Sequence, residues 1–138
     1  MKGAQILDKL SGDSVTFNKC WGVYARDRLP AQVPVDRFCI CNTDKWFNEG
    51  KHWIVIYFPP DADTEYFDPL GNDPSGEFIR FMGESYKHNT QRRQPFNSNT
   101  CAFYCIFFAY MKCRGLPFEI VLNLLGKEKD VVRFVQNI

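Results

Sequence analysis

Hydrophobic residues recur along the chain in short blocks that turn-forming residues separate, and the spacing within each block predicts its structure. Apolar residues at helical spacing in "AQILDKL" predict a short N-terminal helix that ends near Gly12. Three runs rich in β-branched and aromatic residues predict strands at 36–43, 52–58 and 64–68. The run at 52–58 is almost continuously apolar, which is typical of a central strand covered on both faces.

The second half of the chain predicts mainly helices. Asp73 and Pro74 are suitable as the N-cap and first position of a helix in "SGEFIRFMG", and the polar stretch "KHNTQRRQ" predicts a strand or an extended loop. The unbroken apolar run from Cys101 to Met111 predicts a buried helix, and "PFEIVLNLLG" and "KDVVRFVQNI" predict two amphipathic helices. This order of elements predicts a single α+β domain over residues 1–138.

Composition and charge exclude several classes of protein. The chain has 17 Lys and Arg against 16 Asp and Glu, a formal net charge of +1, so its overall field gives no case for binding nucleic acid. Its longest apolar run is too short to span a bilayer, and the N-terminal segment lacks the apolar stretch of a signal peptide. We therefore expect an intracellular protein that has no membrane partner, and we expect a monomer.

Six cysteines would allow three disulfides, but the chain does not have the features of a small secreted scaffold, so we expect reduced thiols. Cys39 and Cys41 raise the alternative of half a structural zinc site. One residue separates them, whereas zinc sites usually place roughly two to four residues between paired cysteines. Because no second pair of suitable spacing follows, the sequence predicts no metal and requires no cofactor.

One cysteine lies where the backbone would favour a nucleophile. Cys101 falls on the first turn of the predicted buried helix, where free N–H groups and the positive end of the helix dipole favour a thiolate. An ordinary core role is the competing interpretation, and it is the better one for Cys105 and Cys113. His52 is the candidate base because it begins the central strand, whereas the second histidine, His88, lies in a polar stretch.

The pattern also supplies partners for the imidazole and for an oxyanion. If strands 52–58 and 64–68 pair antiparallel, the start of one lies beside the end of the other, which brings Asp68 next to His52. A carboxylate there would fix the imidazole tautomer and stabilise its cation, although "DPLG" by itself is also typical of a plain turn. Gln94 carries a neutral amide that would donate to an oxyanion beside the backbone N–H at the helix start.

The order and spacing of these residues resemble a known family. The shared features are His52 followed by Trp53, the motif "FDPLG", and Gln94 with Cys101 seven positions later. Together with "WGVYARDRLP" and "FCICNT" upstream, they resemble the adenovirus maturation proteases, whose clan includes the SUMO proteases, over nearly the whole chain to about Gly115. The resemblance implies a papain-like α+β fold, permuted in sequence order, with a mixed central sheet flanked by helices and the nucleophile at the start of a buried helix.

The resemblance also implies a function and a set of roles. The activity would be that of a cysteine endopeptidase of a virus or virus-like element, which cuts capsid or core precursor proteins in the virion or the host nucleus. Its catalytic residues would be the general base His52, the orienting acid Asp68, the oxyanion donor Gln94 and the nucleophile Cys101.

Three points leave alternatives open. The adenovirus enzymes are stimulated by DNA, but the near-neutral charge of this chain argues against that here. They are also stimulated by a viral peptide that forms a disulfide, and the sequence does not single out Cys39, Cys41 or Cys113 as the partner of such a peptide. The same chemistry would serve a protease that cuts after a ubiquitin-like Gly-Gly tail. Ala102 stands where the family usually has a glycine after the nucleophile, and its side chain would narrow the cleft for the substrate backbone. With a cleft too narrow for turnover, the chain would be a protease-like binding module without catalytic activity.

Overall fold

The computed structural model describes residues 1–45, 52–95 and 98–138, and one mixed β-sheet organises that part of the chain. The strands, in chain order, are β1 (Cys20–Ala25), β2 (Arg37–Asn42), β3 (Trp53–Phe58), β4 (Thr64–Phe67) and β5 (Tyr86–His88). The helices are α1 (Gly3–Leu10), α2 (Ser14–Asn18), α3 (Gly76–Met82), α4 (Cys101–Lys112), α5 (Phe118–Leu124) and α6 (Glu128–Gln136). This mixture of helices with a mixed sheet confirms the predicted α+β class.

The five strands lie side by side in chain order, and β3 is the middle one. The outer pairs β1–β2 and β4–β5 are parallel, whereas β2–β3 and β3–β4 are antiparallel. All six residues of β3 are buried, so the continuous apolar run does form the central strand. The antiparallel pairing of β3 with β4, on which the predicted contact between His52 and Asp68 depends, is also confirmed.

Alternate residues of β3 enter two separate cores. One set packs with α4 and the helices around it, and its members are Trp53, Val55 and Tyr57. The other set faces α3 across the opposite side of the sheet, and its members are Ile54, Ile56 and Phe58. Because both faces exclude water, the strand that follows His52 is held rigidly from two sides.

Helix α4 is apolar on nearly every side, as expected of a helix inside a core. Phe108 stacks on Phe67 of β4 with ring centroids 4.6 Å apart. At the C-terminal end of the helix, Lys112 Nζ lies 3.1 Å from Glu65 Oε1, and the two side chains are only 7% and 5% exposed. The helix that begins with Cys101 is therefore fixed to β4 along its length.

Two elements of the structure were not predicted from the sequence, and one helix begins later than the sequence indicates. Strand β1 lies at the sheet edge and is mostly half-exposed, so it has no clear hydrophobic alternation, and α2 is only five residues long. The prediction of Asp73 as the N-cap of α3 is wrong. Ser75, with extended backbone angles of φ −72° and ψ 167°, is the N-cap, because the chain becomes helical only at Gly76.

We predict that the buried ion pair of Lys112 and Glu65 is costly to break. Burial raises the pKa of Glu65, and Lys112 and Lys87 offset only part of that effect. Lys112→Ala should therefore lower the free energy of unfolding by about 3–5 kcal/mol, because it leaves a buried carboxyl group without its main partner. Lys87→Ala should cost less than about 1 kcal/mol, because Lys87 is 47% exposed and 3.8 Å from the carboxylate.

Urea unfolding followed by circular dichroism would test this prediction. The double variant Lys112→Met with Glu65→Leu should recover much of the stability, since it removes both charges and keeps apolar volume. If the Lys112 and Lys87 single variants lose equal free energies of unfolding, burial does not decide the strength of the ion pair between Lys112 and Glu65.

Candidate active site

Three of the four predicted site residues meet at one end of the sheet. His52 immediately precedes β3, Asp68 immediately follows β4, and Cys101 is the first residue of α4. His52 Nε2 lies 2.6 Å from Asp68 Oδ1, and the imidazole also interacts with the Cys101 thiol. All three side chains are largely buried, with Cys101 only 5% exposed.

The register of the sheet explains why the imidazole and the carboxylate meet. Val55 pairs with Phe67 in the antiparallel ladder, so the start of β3 lies beside the residue that follows β4. Asp68 Oδ1 also accepts the backbone N–H of Leu70 at 2.8 Å, which fixes the carboxylate in the turn after the strand. Because Nε2 faces this carboxylate, Nδ1 is the ring nitrogen left for the thiol.

The pKa of His52 reflects two opposing effects. Burial by itself would lower it, but hydrogen bonds and charge interactions with Asp68 and Cys101 outweigh the burial and raise the pKa from 6.5 to about 9. An imidazolium that persists at neutral pH is the partner that a thiolate requires. The arrangement therefore places a cationic imidazole beside the Cys101 sulfur.

The start of α4 gives the thiol a suitable backbone. Thr100 is the N-cap and its side chain makes no capping hydrogen bond, so the first N–H groups of the helix lack a side-chain acceptor there. One turn further along, Cys105 Sγ donates to the backbone oxygen of Trp53 at 3.2 Å. Burial raises the pKa of Cys105, so its thiol stays protonated and able to donate.

Cys105 therefore has a role beyond the core packing that the sequence predicts. Cys101 and Cys105 lie one turn apart on α4, and their contacts, His52 and Trp53, are consecutive along the chain. The Cys105 bond thus sets the position of α4 along β3. Sequence reasoning missed this role because a buried cysteine gives no sign of its hydrogen-bond partner.

Gln94 lies close to the same turn but makes no side-chain hydrogen bond to the other three predicted residues. Its backbone N–H donates to Pro69 O at 3.0 Å, and its Nε2 donates to Ser98 O at 2.9 Å. The side chain is almost fully buried, and its Oε1 finds no partner among the described residues. Of the two Nε2 protons, the described residues show an acceptor for one, at Ser98 O; positions 96–97 of this loop lie outside the described residues.

A cavity of about 290 Å³ opens beside the imidazole and the carboxylate. Its wall is apolar at Leu70, Tyr66 and Phe78, and polar at Thr43 and Arg26. The Arg26 guanidinium is engaged by Glu77, with Nε 2.9 Å from Oε2. Asp68 and Asp73 also line the cavity, so it offers a small recess with both apolar and charged walls next to the base.

The described residues contain no cluster of three or more His, Cys, Asp or Glu side chains that would hold a metal ion. Cys39 and Cys41 are fully buried with their sulfur atoms 3.7 Å apart, and all six cysteines are free thiols. Across the same described ranges, every helix is too short or too polar to cross a bilayer.

This mixed sheet with helices on both faces is the architecture that the resemblance to the adenovirus-protease and SUMO-protease clan implies. No family model matches the chain. The chain is similar to the SUMO-1 cysteine proteases of African swine fever virus. Identity over 111 residues is 43% for the protein of a Kenyan pig isolate and 25% for that of a Namibian warthog isolate. Each match covers 70% of this chain but only 41% of the relative.

Solved structures give the same fold. A crystal structure of the African swine fever virus protease superposes with a TM-score of 0.69 at 17% identity, covering 96% of this chain and 64% of the protease. The central domain of an uncharacterised Legionella pneumophila protein gives 0.52 at 13% identity, covering 99% and 91%. The predicted papain-like fold of this clan is therefore confirmed, whereas the narrower resemblance to adenovirus enzymes stays a prediction.

We predict that His52 titrates with a midpoint near pH 9, and that Asp68→Asn lowers this midpoint by more than about one pH unit. Because the pKa in the folded state lies above the usual 6.5, the charged imidazole stabilises the fold below about pH 6.5. That contribution is lost as the pH rises through about 9. NMR titration of the imidazole nitrogens measures the midpoint directly.

The control is Asp61→Asn, which removes the same charge from the exposed turn between β3 and β4 and should leave the His52 midpoint unchanged. A wild-type midpoint near 6.5, or equal effects of the two substitutions, would contradict the assigned interaction.

Proposed function

We propose that this chain is a cysteine endopeptidase that hydrolyses peptide bonds in polypeptide substrates. The observation that carries the proposal is the imidazole of His52, held between the Asp68 carboxylate at 2.6 Å and the Cys101 thiol at the start of a buried helix. The fold and the cysteine proteases to which the chain is similar support the same activity.

The proposed reaction begins with the thiol proton on His52. The Cys101 thiolate attacks the carbonyl carbon of the scissile bond, and the negative charge passes to the carbonyl oxygen. The Gln94 amide and the backbone N–H of Cys101 donate to that oxyanion. When the tetrahedral intermediate collapses, the imidazolium protonates the departing amine and a thioester remains.

The second half of the reaction regenerates the enzyme. His52, now neutral, accepts a proton from water as the water oxygen attacks the thioester carbonyl carbon. Collapse of this second intermediate releases the carboxylic acid product and returns the thiolate beside the imidazolium. Asp68 orients the ring with Nδ1 toward the sulfur.

The alternative of a silent binding module loses its main support. That alternative rests on Ala102, which replaces a glycine and would narrow the cleft. Ala102 has no exposed surface and packs in the core with the rest of α4, so its methyl group takes no space at the surface. The site also retains a base, an acid and a nucleophile in contact, which binding alone does not require.

Two substrate classes fit the proposed chemistry. We favour precursor proteins of a virus, such as capsid or core polyproteins, because the relatives are viral proteases. The second candidate is a ubiquitin-like protein cut after its Gly-Gly tail, and the name of the relatives as SUMO-1 cysteine proteases is the observation that favours it.

We predict that Cys101→Ala and His52→Ala each lower kcat/KM for peptide cleavage by about 1,000-fold or more, because each removes a group that takes part in bond breaking. Cys20→Ala is the matched control, since this thiol lies on the edge strand β1 away from the site, and it should keep wild-type activity. Cleavage of a fluorogenic peptide library beside SUMO-1 and ubiquitin fluorogenic substrates provides the assay. Full activity in Cys101→Ala would refute the proposal, and turnover confined to SUMO-1 would select the second substrate class.

A further inference from the structure

The loop that follows β5 is bonded closely to the turn that carries Asp68. Asn89, the residue after β5, is only 4% exposed although it lies in a polar stretch of sequence. Its Oδ1 accepts the backbone N–H of Asp68 at 2.9 Å, and its Nδ2 donates to the backbone oxygen of Asp68 at 2.6 Å and to that of Gln91 at 3.2 Å. The side-chain amide of Asn89 therefore uses both its acceptor and its donor group in hydrogen bonds inside the protein.

These bonds continue the sheet beyond its last strand pair. Tyr66 and His88 are the final partners in the parallel ladder of β4 and β5. Past that point the side-chain amide of Asn89 takes the place of a backbone peptide group and binds both the N–H and the C=O of Asp68. The main chain of Asp68 is held on one side while its carboxylate reaches His52 on the other.

A second set of contacts joins the same two segments a few residues later. Pro69 O accepts the backbone N–H groups of Arg93, at 2.8 Å, and of Gln94, at 3.0 Å. Gly71 has a φ of +75°, and a Cβ atom there would lie 2.8 Å from the carbonyl carbon of Gln91. A side chain at this position would therefore push the segments apart and would also strain the backbone.

We infer that Asn89 is a positioning residue that holds the acid Asp68 and the oxyanion donor Gln94 in a fixed relation to each other. We call the contacts of Asp68, Pro69 and Gly71 with Asn89, Gln91, Arg93 and Gln94 the acid–amide junction. The inference rests on the proposed function, because it assigns Asn89 to the same site. The hydrogen bonds of the Asn89 side chain go to the backbone of Asp68 and Gln91, so it acts through the backbone of Asp68.

Removal of the Asn89 amide should displace the carboxylate. Asn89→Ala leaves the N–H of Asp68 buried without its partner, whereas the C=O keeps only the Gly71 N–H at 2.8 Å, and the turn will shift to satisfy the N–H. A weaker contact between Asp68 and His52 makes the imidazolium less favourable, because burial of the ring then dominates. Small displacements of this kind reduce turnover more than binding, because they misalign reacting groups that the substrate itself does not hold.

The test compares the full chain with Asn89→Ala and Thr90→Ala in two measurements. NMR titration of His52 reports the position of the carboxylate without any substrate, and kcat and KM are measured on a cleaved peptide. For Asn89→Ala we expect the His52 midpoint to fall from about 9 by at least about one pH unit, kcat to fall about 10- to 100-fold, and KM to change less than about threefold. Thr90, an exposed neighbour, serves as the control and should leave both measurements unchanged.

A folded Asn89→Ala protein with wild-type His52 titration and wild-type kcat would overturn the inference. If that variant does not fold, Gly71→Ala tests the same junction from its other side, because it keeps the Asn89 side chain and forces the two segments apart. A folded Gly71→Ala protein is expected to show the same fall in midpoint and in kcat, and wild-type values for both would again overturn the inference.

If the wild-type chain cleaves no peptide, the proposed function fails but the junction is still tested. The His52 midpoint then decides alone: a fall in Asn89→Ala supports the role of Asn89 in holding the carboxylate, and an unchanged midpoint refutes it.

Discussion

The contact between His52 and Asp68 at 2.6 Å is the interaction on which the rest of the site depends. It selects the ring nitrogen that faces the sulfur, and together with Cys101 it raises the pKa of the imidazole to about 9 against the opposing effect of burial. An imidazole in that position without the carboxylate would be a buried neutral base. With the carboxylate the imidazole is held as a cation at neutral pH, which is the form that the proposed mechanism needs beside a thiolate.

The fold supplies this contact through rigid elements. Antiparallel pairing of β3 with β4 brings the ends of the two strands together, and cores on both faces of the sheet hold β3. The third group, Cys101, lies at the start of α4. This helix is bonded to β3 through Cys105 and to β4 through Lys112. His52, Asp68 and Cys101 therefore come from three different elements that are packed against one another, which holds the geometry of the site.

Sequence reasoning singled out His52, Asp68 and Cys101, which the fold brings together, because their signals are local and strong. The continuous apolar run after His52, the Asp-Pro turn after the next strand and the cysteine at the start of an apolar helix each follow from spacing and composition. Strand β1 was missed because an edge strand is covered on fewer sides and keeps no clear alternation. The supporting groups were missed for another reason: Asn89 and Cys105 act through hydrogen bonds to distant backbone atoms, and such bonds leave no pattern in the neighbouring residues.

The central claim is that His52 activates Cys101, and alkylation by iodoacetamide tests it most directly. The modified cysteines would be mapped by mass spectrometry between pH 4 and 9, in the wild-type chain and in His52→Ala. We expect Cys101 to react faster than the other five cysteines from acidic to neutral pH, and His52→Ala to abolish that advantage, because the thiolate loses its cationic partner. A Cys101 that reacts no faster than the others in the wild-type chain, or equally fast without His52, would contradict the claim.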